Sequence, residues 1–291
     1  MKSQVWLITG SSRGLGRALT EAVLAAGHQV IATARKPEQL SGFAAKYGEQ
    51  IRTIALDVTA PQQAEAAVQT AIDAFGRLDV VVNNAGYGFT SSFEQMPEAD
   101  FRSQIDTNFW GVVNVTRAAL PVLRKQRSGH IIQVSSVGGR FGVAGLSAYH
   151  AAKFAVEGFS ETVAGEIAPF GVKMTIVEPG GFRTDWATDS MVTVPPSDDY
   201  QASVGVILGY MEEHRAQMPG DPAKAAQAIL NLTAMESPPL RLPLGTDALV
   251  LLRHNYQKSL DELEQYADIT RSTNFDGLEI SETGHAIVDS H

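Results

Sequence analysis

The chain has no cysteine. Disulfides, zinc–thiolate sites and cysteine nucleophiles are therefore excluded, and any chemistry must rest on other side chains. Positive charge is scarce: 23 Lys and Arg stand against 32 Asp and Glu, a net charge of −9 over 291 residues. That balance argues against broad binding to nucleic acid or to an anionic membrane surface. No apolar run approaches the length of a membrane span. The short apolar run after Lys2 passes directly into a glycine turn, which is not the pattern of a secretory signal. No His/Asp/Glu cluster has metal-ligand spacing, so no metal is expected. Internal repeats and long low-complexity stretches are also missing. What remains is the expectation of a soluble cytoplasmic protein, 44% apolar and long enough to bury a sizeable core.

What is present begins at Thr9-Gly10-Ser11-Ser12-Arg13-Gly14-Leu15-Gly16. The apolar run Val5-Trp6-Leu7-Ile8 precedes it, and Leu15, Leu19 and Val23 follow at helical spacing. The segment reads as strand, tight turn, helix. In that context glycines let the backbone approach a pyrophosphate, and the helix N-terminus offers it unpaired N–H groups. An ordinary strand-to-helix turn is the plainer alternative for this stretch alone.

The same alternation continues. Strands are expected at 5–9, 29–34, 51–56, 79–82, 131–134 and 172–177, with a seventh at 240–244. Helices are expected at 17–26, 38–47, 61–75, 98–126, 147–168, 222–234 and 247–266, with a kink or break near Pro121. Alternating strands and helices imply one α/β domain over 1–266, a doubly wound parallel sheet with helices on both faces. Ligands bind such sheets beyond the carboxyl ends of the strands. Polar clusters fall at those ends: Asp57-Val58, Asn83-Asn84-Ala85-Gly86, Ser135-Ser136 and Glu178-Pro179-Gly180-Gly181. Residues 185–220 break the alternation and are rich in apolar side chains, Trp186, Val204, Ile207 and Tyr210 among them, which suits either a lid over the site or a helical pair packed on the core. Residues 267–291 read as a polar, aperiodic tail.

Tyr149 and Lys153 are four apart in a helical stretch and so share a face. A nearby ammonium stabilises phenolate and lowers the phenol's pKa, which suits the pair to proton transfer near neutral pH. An exposed helical pair is the plain alternative. His150, between them, is read as structural or pocket-lining, and Arg140 as a solvated surface arginine in preference to an anchor for an anionic substrate.

Taken together, the glycine turn, Asn83-Asn84-Ala85-Gly86, Ser136 thirteen residues before Tyr149, Lys153 and Pro179-Gly180 occur in an order that resembles the short-chain dehydrogenase/reductases. The resemblance is strong over about 3–185 and loose beyond. The run from Tyr87-Gly88-Phe89 to Gly181-Phe182-Arg183-Thr184 is most similar to the 17β-hydroxysteroid-dehydrogenase-like branch, a likeness that does not name a steroid substrate. The resemblance implies a Rossmann-type fold and an oxidoreductase that interconverts a carbonyl compound and its alcohol by hydride transfer. It implies that Tyr149 is the proton donor, that Lys153 binds the nicotinamide ribose and tunes Tyr149, that Ser136 bonds the substrate oxygen, and that Asn108 completes the tetrad. It further implies that Gly10, Ser12, Arg13, Gly14, Leu15 and Gly16 cradle the cofactor, that Asn84, Ala85 and Gly86 shape the turn beside it, and that Pro179, Gly180 and Thr184 lie along the nicotinamide. Asp57 would meet the adenine, with Val58 flanking it; a local turn cap is the other reading of Asp57.

The cofactor expected is NADP(H). NAD-preferring relatives usually carry a carboxylate for the ribose hydroxyls at the end of the second strand, where this chain has Ala34 followed by Arg35. An arginine fork pairs with a 2′-phosphate, and Arg13 is placed to reach it from the turn. Relatives usually assemble through the two long helices, so a homodimer or homotetramer is expected. The competing function is a catalytically silent NADP(H)-binding regulator on the same fold, since fold alone does not separate the two.

Overall fold

A computed structural model describes residues 3–184 and 191–275. Seven strands form one parallel sheet: β1 (Val5–Ile8), β2 (Gln29–Ala34), β3 (Ile51–Ala55), β4 (Val80–Asn83), β6 (Gly129–Val134), β7 (Val172–Pro179) and β9 (Arg241–Leu244). Their order is β3-β2-β1-β4-β6-β7-β9. The order reverses between β1 and β4, and a crevice opens at such a switch point beyond the strand ends. β1 is apolar throughout and fully buried, as a central parallel strand must be. Its side chains alternate between the faces. Trp6 and Ile8 join Leu19, Val23, Ile229 and Leu232 in one core, while Val5 and Leu7 join Ala67, Val115, Leu123 and Val163 in the other.

The first face is covered by α1 (Gly14–Ala25) and α8 (Pro222–Leu232), the second by α3 (Pro61–Phe75), α5 (Gly111–Gln126) and α6 (Ser147–Ile167). The stretch expected as a short helix after Pro37 is a 3-10 turn, Pro37–Leu40, followed by α2 (Ser41–Tyr47).

Three expectations are corrected. The long helical region does not break at Pro121, which sits inside an unbroken α5. Its irregularity lies earlier, where α4 (Glu98–Ile105) passes into α5 through a π-helical turn, Asp106–Trp110. A short strand not anticipated, β5 (Gly88–Thr90), pairs in parallel with β8 (Met191–Thr193). The stretch after 266 begins with a short helix, α10 (Ala267–Arg271), rather than an aperiodic tail.

After β8 come a 3-10 turn (Asp198–Tyr200), a π-helical turn (Gln201–Gly205) and α7 (Val206–His214). Trp186 and the rest of 185–190, and the chain from 276 onward, lie outside the described residues. The chain forms two compact units, one running to Leu249 and one from Val250. The last long helix, α9 (Thr246–Gln265), starts in the first and continues in the second. No helix among the described residues is long and apolar enough to cross a membrane.

Candidate active site

At the carboxyl ends of the strands lies a cavity of about 1190 Å³. Its floor is the turn from β1 into α1. Gly10 and Gly14 hold φ of +68° and +53°, backbone that side chains rarely adopt. Gly16 is needed for a different reason: a Cβ there would lie 2.3 Å from Gly10 O and from Asn84 Nδ2. Thr9 and Asn84 stitch this turn to the next strand end. Thr9 Oγ1 accepts from the N–H groups of Asn84 and Ala85, both at 2.9 Å, and Asn84 Nδ2 donates to Thr9 O at 2.9 Å. The N-terminus of α1 has no side-chain cap and no acidic residue in its first turn, so its free N–H groups are left for an anion. This glycine cradle, with uncapped donors facing a cavity, fits a dinucleotide pyrophosphate.

Gly10, Ser12, Arg13, Gly14 and Leu15 line one end of the cavity, with Arg35 and Lys36 from the end of β2. Asp57 and Val58 close it from β3, and Asn84, Ala85 and Gly86 from β4. Asp57 also caps its own turn, accepting from Thr59 N and Thr59 Oγ1 at 3.0 and 2.7 Å, which is the turn-cap reading of it. Ser136, Tyr149, Lys153, Pro179 and Gly180 line the other end, and Thr184 lines the cavity beside Gly14, where a Cβ would lie 3.5 Å from Thr184 Cβ. Gly16 and Asn108 do not reach the cavity wall. Gly16 is packed behind the turn. Asn108 sits on the π-helical turn and grips the backbone of Tyr87, accepting from its N–H at 3.1 Å and donating to its carbonyl at 2.8 Å. It thereby holds the Gly86–Tyr87 turn, and a π-helical turn at such a place is a recurrent mark of functional sites.

Ser136, Tyr149 and Lys153 meet where β6 ends against α6. The Ser136 hydroxyl accepts from Gly138 N at 3.0 Å and hydrogen-bonds Tyr149. His150 does not turn away from Tyr149: its ring stands edge-on to the phenol ring at 5.8 Å, and it bonds Gly138 O through Nδ1 at 2.6 Å, so it tethers the Ser136 loop. Ser135 is buried beside that loop, its N–H on Val177 O at 2.8 Å, and it too lines the cavity.

The electrostatics of the pair depart from the sequence expectation. Burial pushes the Tyr149 phenol up to about 12, opposed by the Ser136 hydrogen bond. Burial pulls Lys153 down to about 8, with Glu157 raising it. Lys153 Nζ donates to Val134 O at 2.8 Å and lies 5.7 Å from the Tyr149 ring centre. The phenol's own desolvation sets the direction, and the Ser136 hydrogen bond, not the Lys153 ammonium, is what opposes it.

Arg140 is also corrected: it is neither solvated nor aimed at the cavity. It is partly buried and pairs with Glu178 at 3.2 Å and Glu157 at 3.6 Å. Asp247 was missed. It accepts from Gly181 N at 2.6 Å, beside Gly180 N on Leu244 O at 2.9 Å, and so clamps the Pro179–Gly181 turn. No local motif marks it; only the folding of β9 beside β7 brings it there.

Residues 4–193 match the family model described as short chain dehydrogenase. The chain is 50% identical over 248 residues to "Oxidoreductase BOA17" of Botryotinia fuckeliana, covering 85% of this chain and 90% of that one. It is 36% identical to a "3-ketodihydrosphingosine reductase" of Bacteroides thetaiotaomicron, over 92% and 97% of the two chains. A crystal structure of a short-chain dehydrogenase from Streptomyces avermitilis superposes with a TM-score of 0.88 at 40% identity, covering 94% of this chain and all of the other. ElxO with NADP bound superposes with a TM-score of 0.71 at 26% identity, over 85% and 99%. The chain belongs to the short-chain dehydrogenase/reductase family and is an oxidoreductase of that family.

Proposed function

We propose that this protein reduces a hydrophobic ketone or aldehyde with NADPH, and oxidises the matching alcohol in reverse. The observation that carries this reading is the single cavity with Ser136, Tyr149 and Lys153 at one end and Arg13 and Arg35 at the other. The bound cofactor supplies the hydride. Tyr149 gives its proton to the carbonyl oxygen, and a phenol pushed up to about 12 keeps that proton until the oxygen becomes alkoxide-like. Ser136 bonds the same oxygen. Lys153 holds the ribose end of the cofactor and replaces charge beside the phenol. Arg13 and Arg35 take the 2′-phosphate, which the chain's lack of an acidic residue at Ala34 leaves unopposed.

An apolar substrate is supported by the segment after β8. It is tied down by the β5–β8 pairing, by Tyr200 OH on Glu94 at 2.6 Å, and by Val194 packing with Phe89, Met96 and Ala148, the neighbour of Tyr149. A lid of this kind suits a medium or bulky carbonyl compound. The likeness to the 17β-hydroxysteroid-dehydrogenase-like branch is compatible with that but names no steroid. A screen of ketones, aldehydes and secondary alcohols, followed at the absorbance of reduced nicotinamide, tests the reading. Turnover of apolar carbonyls with NADPH is expected. Tight NADPH binding with no turnover across the panel identifies a silent regulator instead, and a preference for small, charged or polyhydroxylated substrates contradicts the apolar pocket.

A further inference from the structure

Behind the catalytic wall is a buried ionic lattice that the mechanism above does not use. Glu157 follows Lys153 by one helical turn, on the same face of α6, and both side chains are more than nine-tenths buried. Glu157 Oε2 is braced by Arg241 Nε at 3.0 Å and by Arg140 at 3.6 Å. Arg140 reaches on to Glu178, the residue before Pro179, and Arg241 reaches on to exposed Glu161 at 2.8 Å. Glu157 Oε1 has no hydrogen-bond partner among the described residues. Its carboxylate is therefore not used up by the arginines, and it faces Lys153 through space without a direct ion pair, the ammonium itself donating to Val134 O at 2.8 Å. The loop that carries Ser136 closes directly on this turn of helix: a Cβ on Gly139 would lie 2.9 Å from Glu157 Cγ and 3.1 Å from Lys153 O.

We propose that Glu157 is a positioning residue for the reaction read above, its buried carboxylate holding the neighbouring Lys153 ammonium in the charged form. The inference rests on that reading for its catalytic meaning but not for its geometry. An ammonium taken out of water needs a compensating anion. The other titratable or charged groups are Tyr149, His150, Glu161 and Glu166 on α6 itself, and, on elements packed against it, Glu98, Asp100 and Arg102 of α4, Asp106 of the π-helical turn, Lys173 and Glu178 of β7, and Arg140 and Arg241. Of the groups around it, Glu157 is the one that raises Lys153 against the downward pull of burial. Glu178 is a poorer anion near neutral pH, because burial first and Glu157 second push it up to about 7 against the pull of Arg140 and Arg241.

The test titrates Lys153 directly, in the protein without cofactor, by the pH dependence of its 13Cε signal, assigned from Lys153→Met. Glu157→Gln is expected to move the midpoint down by about one unit or more, the size of a close opposite-charge effect. Arg241→Met, which strips a cation from Glu157, is expected to move it up. Glu161→Gln removes another partner of Arg241, an exposed one two turns along from Lys153, and is expected to leave it in place. The basic limb of the pH–rate profile for carbonyl reduction should follow the same order. A merely structural Glu157 lowers thermal stability while Lys153 titrates as in the wild type, and that result overturns the proposal. If Glu157→Gln does not fold, an unmoved midpoint in Arg241→Met overturns it equally. A shifted midpoint in a protein that reduces no carbonyl compound leaves this inference standing and removes the proposed function; normal turnover with an unmoved midpoint does the reverse.

Discussion

At the scale of residues, the account turns on which groups carry charge. Tyr149 and Lys153 are both buried, and burial moves the phenol up and the ammonium down. Tyr149→Phe keeps the ring and loses only the proton donor. It is expected to lower kcat by about 10²–10⁴-fold, the range of general acid catalysis, with cofactor affinity nearly unchanged by fluorescence titration. Turnover near the wild-type rate would refute the assignment. Lys153→Met is expected to weaken cofactor binding as well, since the lysine also serves the ribose. That Ser136, Tyr149 and Lys153 line one cavity was legible because they come from two neighbouring segments with fixed spacing. Their electrostatics were not, because desolvation depends on what the rest of the chain stacks around them. Asp247 and Arg140 went unread for a related reason. Each acts through a partner in another element, which only the folded chain brings near.

At the scale of elements, strands β1 to β4 and helix α3 could be read from short apolar runs closed by polar or glycine punctuation, nearly to the residue. The π-helical turn Asp106–Trp110 could not, because nothing in local propensity distinguishes it from the α-helix around it. Pro121 raised the prospect of a break that the continuous α5 does not contain. Two glycines separate the element's needs from general glycine tolerance. Gly16→Ala places a methyl against Gly10 O and Asn84 Nδ2, and such overpacking costs about 1–3 kcal/mol. It is expected to lower thermal stability and to abolish high-affinity dinucleotide binding. Gly42→Ala, on α2 with open space where the methyl goes, is expected to stabilise by about 0.5–1 kcal/mol. His130 of β6 supplies the pH dependence. Burial, aided by Lys173, pulls its imidazole down to about 4 from an ordinary 6.5. Both folded and unfolded states hold it neutral above pH 6.5, so it costs nothing there. Between pH 6.5 and 4 only the unfolded chain takes up the proton, and stability falls by on the order of 3 kcal/mol. Glu178, raised to about 7, acts in the opposite sense between 4.5 and 7. The comparison is therefore wild type against His130→Asn: their difference in unfolding free energy should change between pH 6.5 and 4 and be flat above.

At the scale of the whole molecule, we propose a homodimer or homotetramer. A groove of about 330 Å³ runs between α5 and α6, with Val113, Leu120, Phe159 and Phe170 on its walls. Trp110 and Phe154 are each 47% exposed on the same helical region. A second copy of the chain is the occupant that two-fold symmetry favours for such a face. Light scattering at micromolar concentration should give a mass at least twice 31.2 kDa, reduced by Leu120→Glu; a monomer rejects the assembly. The whole cavity is tested by the cofactor, because one molecule must reach from Arg13 and Arg35 to Tyr149. The most direct measurement is the pair of specificity constants for NADPH and NADH with one good ketone. Charge-assisted bonds are worth about 1.5–3 kcal/mol each. NADPH should therefore lead by about a hundredfold or more, and Arg35→Ala should erode that lead while leaving NADH turnover largely unchanged. NADH equal to or better than NADPH would contradict the account.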